Sequence, residues 1–292
     1  SEITDMNVYE IVTEKIVKLL EQGIVPWRRP WTSTGLPRNL VSKKPYRGIN
    51  YFLLSASKYV SPFWLSYRQA NELGGHVRKG EESTIVVFWK VEDLKRSNQD
   101  LDPEEKNRRR FVLRYYRVFN LEQYELPQAV LDKLPKIETH EHDPIEAAER
   151  IIAAMPNPPE IVRGGSKAFY SPITDRITLP PRELFISAEE EAATETHELI
   201  HSSGHVKRLG REGICEAAPF GSPVYSKEEL VAEMGAAFLC AEAEISNAVI
   251  DNQAAYVAGW LKKLRDDRKL PIHAVAQAQH AVDIILRRTC TN

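Results

Sequence analysis

Apolar side chains recur at Val8, Ile11, Val12, Ile16, Leu19 and Leu20, the spacing of one helical face, and Gly23 supplies a stop. The period then changes. Tyr51-Phe52-Leu53-Leu54 is a short apolar run after a turn at Gly48, and Ser66 is placed to cap a short helix that closes at Gly74 and Gly75. Thr84 to Lys90 and Arg109 to Phe119 are rich in β-branched and aromatic residues and predict two strands. On the second of them, Arg114 and Tyr116 share one face while Tyr115 and Arg117 share the other. The charged stretch from Glu92 to Arg108 predicts a mobile hairpin loop between the two strands.

Residues 121–143 carry prolines and charges without a period, which predicts a division into a front domain (1–130), a linker (131–143) and a rear domain (144–292). Asp143-Pro144 reads as cap and first helical residue for Ile145 to Met155. Ile161-Val162 begins a sheet, and the runs 168–172 and 176–180 predict a hairpin beside the helix that follows. Such an edge could pair with an extended peptide. Ser187 and Glu190 form a capping box for a helix through His201, Tyr225 to Cys240 reads as a second, and Gln253 to Leu264 and Ile272 to Arg287 close the chain. The fold class is therefore α+β: an N-terminal mixed α/β domain and a mainly helical C-terminal domain with a small sheet.

Charge changes this picture by separating the halves. The net charge of −2 divides into 23 Lys and Arg against 18 Asp and Glu before residue 139, and 16 against 23 after it. Of the 25 aromatic residues, 17 lie in the same basic front part. A basic, aromatic surface suits unpaired nucleic acid, because rings stack on bases while cations meet phosphate. The candidates are Trp27, Arg28, Arg29, Trp31, Lys43, Lys44, Tyr46, Arg47, Arg78, Lys79, Arg114 and Tyr116. An anchoring role in the core is the competing reading for each tryptophan. With no apolar run of about eighteen residues, no membrane partner is expected. The three cysteines, odd in number and widely spaced, imply neither a disulfide framework nor a cysteine metal site and suggest a reducing cytoplasm.

The candidate chemistry sits in His197-Glu198-Leu199-Ile200-His201, an H-E-x-x-H pattern. At about 3.6 residues per turn the two imidazoles stack on one face and can share a metal, while Glu198 projects beside it as general base. Two histidines suit Zn²⁺, with another divalent ion such as Mn²⁺ the alternative. The position six residues past His201 is Lys207, which excludes a third histidine ligand there, and Gly204 breaks the helix before His205, which reads as a loop or substrate-side residue. Glu229 and Glu233, four apart on the second helix, are assigned as third ligand and as the carboxylate that orients a ligand histidine. Two alternatives stand beside this: Ser226 and Glu229 also form a capping box, and the two glutamates could exchange roles. Tyr225 and Tyr170 are candidates for steadying an oxyanion.

Taken together, several motifs resemble the ArdC-type antirestriction proteins of conjugative plasmids. They are Val25-Pro26-Trp27, Pro30-Trp31, the run 46–50, Val77-Arg78-Lys79-Gly80, Phe88-Trp89-Lys90 and the run 115–120 in front, and the runs 197–201, 204–205, 208–209 and 228–233 behind. The resemblance implies a non-specific single-stranded DNA-binding front domain and a zincin-like metallopeptidase rear domain. It also implies protection of entering DNA from type I restriction. The expected partners are single-stranded DNA and an unidentified protein substrate such as a restriction component. A strand-coating protein with an inactive or structural metal site is the alternative.

Overall fold

The computed structural model describes residues 7–28, 36–93, 109–134, 143–216, 219, 221–245 and 254–288. In chain order these form α1 (Val8–Glu21), β1 (Arg38–Asn39), α2 (Ile49–Ser55), β2 (Phe63–Ser66), α3 (Tyr67–Glu72), β3 (His76–Val77), β4 (Thr84–Asp93) and β5 (Arg109–Asn120). The short β6 (Tyr124–Glu125) and α4 (Gln128–Leu131) follow. The rear part contains α5 (Pro144–Ala154), β7 (Glu160–Arg163), β8 (Phe169–Ser171), β9 (Arg176–Leu179), α6 (Ala188–Ser203), α7 (Glu212–Cys215), α8 (Pro223–Glu242), α9 (Ala254–Asp266) and α10 (Leu270–Ile285). The two-part α+β architecture expected from the pattern is present. Of the hairpin loop and the linker, residues 94–108 and 135–142 lie outside the described residues.

Local chemistry sets the helix starts. The Asn7 side chain accepts from the Glu10 N–H and Glu10 returns the bond, a complete capping box for α1. Ser66 and Gln69 do the same for α3, and the Asp143 carboxylate accepts from Ile145 and Glu146 ahead of Pro144. Ser187 caps α6 through the Glu190 N–H, but the Glu190 carboxylate turns to the Ile186 N–H, so only half of the expected box forms.

The front sheet has the order β1-β2-β5-β4, antiparallel except for the β1–β2 pair. Asn50 at the start of α2 fastens that helix to it, exchanging two hydrogen bonds of 2.7 Å with the backbone of Val87 on β4. The rear sheet has the order β7-β9-β8, which leaves β8 at an edge.

One core joins the two parts. Val12, Ile16 and Leu20 of α1 pack with Trp260 and Leu264 of α9 and with Val275 and Val282 of α10. Phe52 of α2 stacks on Phe238 of α8 with ring centres 4.8 Å apart. Trp27 is 1% exposed, crosses Trp260 edge to face at 5.8 Å, and donates its indole N–H to the Tyr256 hydroxyl at 3.0 Å. The expectation that Trp27 stacks on bases is thereby corrected, since no face of the ring reaches solvent.

Candidate metal centre and DNA-facing surface

α6 is buried along most of its second half, with Leu199 and Ile200 fully enclosed, and Gly204 caps its end. It lies close against α8 because Gly235 faces Ile200: a Cβ at that glycine would stand 2.7 Å from Ile200 Cδ1. Ser222, not Ser226, caps α8, and Ser226 is buried within the helix. The capping explanation for Glu229 therefore falls away.

The close approach brings three donor groups together. The rings of His197 and His201 are 4.8 Å apart and cross at 83°. Glu229 reaches 3.9 Å from His197 Nε2 and 3.6 Å from His201 Nε2. Among the described residues, His197, His201 and Glu229 are the group whose ligand atoms all lie within 4.8 Å of one another. Two imidazole nitrogens and one carboxylate are a donor set that suits a divalent ion such as zinc. Glu233 is half-buried one turn further along α8.

The carboxylate that holds His201 was not legible in the sequence. Glu228 accepts at 3.2 Å from His201 Nδ1, which leaves Nε2 for the cleft. Arg211 binds both oxygens of Glu228, at 2.9 and 2.6 Å. Burial works against the charge on Glu228, but Arg211 and His201 outweigh it and hold the carboxyl below its ordinary value. Burial likewise opposes a charged His201 ring, and Glu228, with Glu198 and Glu229, reverses this and raises it.

Glu198 is 8% exposed. Burial raises its carboxyl above the ordinary range and Glu229 adds to this, while His201 and the Tyr170 N–H pull the other way. That N–H belongs to the edge strand β8, so the strand runs directly past the carboxylate. β8 and α6 bound an open cleft of about 910 Å³, whose apolar rim includes Phe169, Ile173 and Val206. The Tyr225 hydroxyl is hydrogen-bonded to Glu229; burial first, and then Glu229, push it up to about 12. Tyr170 is a different case from the one expected. Its hydroxyl bonds to Asp175 at 2.9 Å and to Arg208 at 3.4 Å, which ties it into the hairpin and removes it as an oxyanion donor.

His205 lines the same cleft, but both ring nitrogens are engaged, one with the Pro172 carbonyl at 3.1 Å and the other with the Lys207 N–H at 3.2 Å. Lys207 stands 3.8 Å from Asp175. Cys215 and Cys240 are free thiols.

The proposed strand-binding residues divide in two. Lys43, Lys44, Arg78, Lys79, Arg114 and Tyr116 are exposed. Tyr116 lies beside Phe88, ring centres 5.8 Å apart, and Phe88 is the cross-strand neighbour of Arg114. The two rings are 47% and 46% exposed, so an open aromatic pair with a cation beside it stands on the sheet. Sequence reading missed Phe88 as part of this surface, although alternation along β4 places it there. Two other expectations are corrected. Tyr46 is buried because it packs on Trp64, Val86 and Val118, on the same sheet face as Phe88, whose ring centre is 6.4 Å away, and the Arg47 guanidinium pairs with the buried Asp283 of α10 while the adjacent Gly48 N–H reaches Gln279 at 3.0 Å. Their motif joins the front part to α10. Arg28 ends a short 3-10 turn. Arg29 and Trp31 lie outside the described residues.

An H-E-x-x-H helix, a carboxylate from a second helix and an edge strand across the cleft make the rear part a zincin-like domain, joined here to an α/β front domain. Comparison with known proteins finds a family model for each part. Residues 6–119 match the N-terminal domain of anti-restriction factor ArdC and residues 146–277 match the zincin-like metallopeptidase. The uncharacterized protein y4eC of Sinorhizobium fredii is 35% identical, with 96% of this chain and 92% of that protein aligned. Two proteins named DNA primase TraC from Escherichia coli are 35% and 36% identical over 95% of this chain, which spans only 20% and 27% of their lengths. The crystal structure of the antirestriction ArdC protein from the R388 plasmid matches with a TM-score of 0.72 in its metal-free form, at 33% identity, covering 96% of this chain and 97% of that one. Its Mn(II)-bound form gives 0.71 at the same identity, with 97% and 98% covered. The chain belongs to the ArdC family of antirestriction proteins. No helix among the described residues is long and apolar enough to cross a membrane.

Proposed function

We propose that this chain protects entering DNA from restriction by gripping single strands with its front sheet while its rear domain acts as a metal-dependent peptidase. The observation that carries the enzymatic half is the convergence of His197, His201 and Glu229 beside the buried Glu198 on the wall of an open cleft. A divalent ion held by those three would supply Lewis acidity that polarises a carbonyl and acidifies water. The chain's own residues do the rest. Glu198 takes the proton from the attacking water and passes it to the leaving amine. Tyr225, on the cleft wall, is the remaining candidate to donate to the developing oxyanion, on giving up its hydrogen bond to Glu229. An extended peptide lies across the cleft beside β8, its apolar side chains against the rim formed by Phe169, Ile173 and Val206.

Zn²⁺ and Mn²⁺ are the ions to test, the second because the R388 relative was crystallised with Mn(II). Titration calorimetry is expected to give one ion per chain. Glu229→Ala is expected to lose that uptake under conditions that saturate the wild type, and full occupancy in the variant would remove Glu229 from the site.

Strand binding rests on the exposed Phe88–Tyr116 pair beside Arg114 and on relatives named as DNA primases. Tyr116→Ala is expected to weaken binding to an unstructured oligonucleotide by roughly 1–3 kcal/mol, the value of one stacked base, with the affinity of both proteins falling as salt rises. Fluorescence anisotropy measures both effects; equal affinity for wild type and variant would move the surface elsewhere. Holding a strand raises the local concentration of any protein bound to it, which is how the peptidase would find a restriction component as its substrate.

A further inference from the structure

We infer that Arg211 is the positioning residue of the metal centre, setting the direction of His201 through Glu228 and fixing the spacing of the two helices that carry the ligands. The inference rests on the metal reading above and adds a residue that does not touch the ion. Arg211 lies in the turn just ahead of α7 and is only 7% exposed. Its guanidinium makes four hydrogen bonds to two elements. On α8 it donates from Nε and Nη2 to the two oxygens of Glu228, at 2.9 and 2.6 Å. On α6 it donates from Nη1 to Ser203 Oγ at 2.8 Å and from Nη2 to the Ile200 carbonyl at 2.7 Å. One planar cation thus bridges the last turn of the histidine helix and the residue adjacent to Glu229.

The chemistry follows from the geometry. Glu228 Oε1 stands 3.2 Å from His201 Nδ1. An ionised carboxylate can only accept, so it selects the tautomer with the proton on Nδ1 and leaves the Nε2 lone pair toward Glu229 and His197. A carboxylate enclosed in the interior stays ionised when it is paired, and the fork of an arginine fixes both of its oxygens in one plane. Lysine supplies the charge without the fork. The site is also shaped for this contact: a Cβ at residue 213 would fall 2.7 Å from Glu228 Cβ, so Gly213 is what lets α7 close over the carboxylate. Buried ion pairs stabilise folds little compared with apolar residues of the same volume, so stability alone is a weak account of this one.

The test compares wild type with Arg211→Lys in the full chain, reading Mn²⁺ and Zn²⁺ affinity by calorimetry, the thermal midpoint, and the His201 tautomer in metal-free protein by ¹⁵N NMR. The expected result is a fall of about 10–100-fold in metal affinity, the usual consequence of losing an outer hydrogen-bond partner. The His201 ring is expected to pass from a single Nδ1–H form to a mixture. A purely structural arginine would move the midpoint and leave the tautomer alone. Should Arg211→Lys fail to fold, Glu228→Asp keeps the charge and the arginine but withdraws the carboxylate from Nδ1, and the same loss of affinity is expected. Wild-type affinity and tautomer in either folded variant overturn the inference. Failure of the wild type to take up either ion would instead overturn the metal reading, and the tautomer comparison would still decide the role of Arg211.

Discussion

Glu198→Gln is expected to retain one divalent ion per chain and to lower peptide-bond cleavage by about 10²–10⁴-fold, the usual contribution of a general base. Gln is nearly isosteric and still accepts the Tyr170 N–H through its amide oxygen, so the edge strand keeps its place beside α6. What the variant loses is the ability to take a proton. Burial already lifts the Glu198 carboxyl, and Glu229 lifts it further against the pull of His201 and the Tyr170 N–H. Because the substrate is a protein still to be identified, cleavage is best read by mass spectrometry on a proteome-derived peptide library. Undiminished cleavage by the variant would remove Glu198 from the mechanism. The same protein separates two ways of protecting DNA: protection that persists in Glu198→Gln assigns the effect to strand coating, and protection that disappears assigns it to hydrolysis.

Much of the rear site was legible because its information is local. Two histidines four apart must share a helical face, and Ser187 and Asp143 mark helix starts within one turn of themselves. Glu228 was different. Its role depends on Arg211, seventeen residues earlier in a turn, and on the 3.2 Å contact across to α6. Neither Glu228 nor Glu229 carries a mark that says which of two adjacent carboxylates meets the metal and which meets the back of a ring, since they differ by about 100° around α8. The register between α6 and α8 decides it, and the packing of Gly235 on Ile200 sets that register.

The front half misled for a related reason. Composition records that aromatic and basic residues are abundant, but exposure is a tertiary property. Alternation along β5 placed Arg114 and Tyr116 on one face, and the open rings of Tyr116 and Phe88 lie there. The Trp27, Tyr46 and Arg47 segments carry the same residue types and are absorbed by contacts more than two hundred residues away or, for Tyr46, by Trp64, Val86 and Val118 of the sheet.

That long-range packing makes Trp27→Ala the largest expected loss of stability, about 3–5 kcal/mol, the range for truncating a buried aromatic. The indole fills a space between α1, α2 and α9, donates to the Tyr256 hydroxyl and crosses Trp260. Removing it opens a cavity that backbone from three elements would have to close. At about 2–4 °C per kcal/mol for chains of 150–250 residues, the thermal midpoint should fall by roughly 6–20 °C. Calorimetry should show the midpoint of the rear domain moving with that of the front, because α1 and the turn that carries Trp27 are covered by α9 and α10. Below the transition the variant is expected to bind an oligonucleotide as tightly as wild type, since the ring never meets solvent. A variant that melts normally and binds DNA poorly would reverse this assignment and return Trp27 to the strand-binding surface.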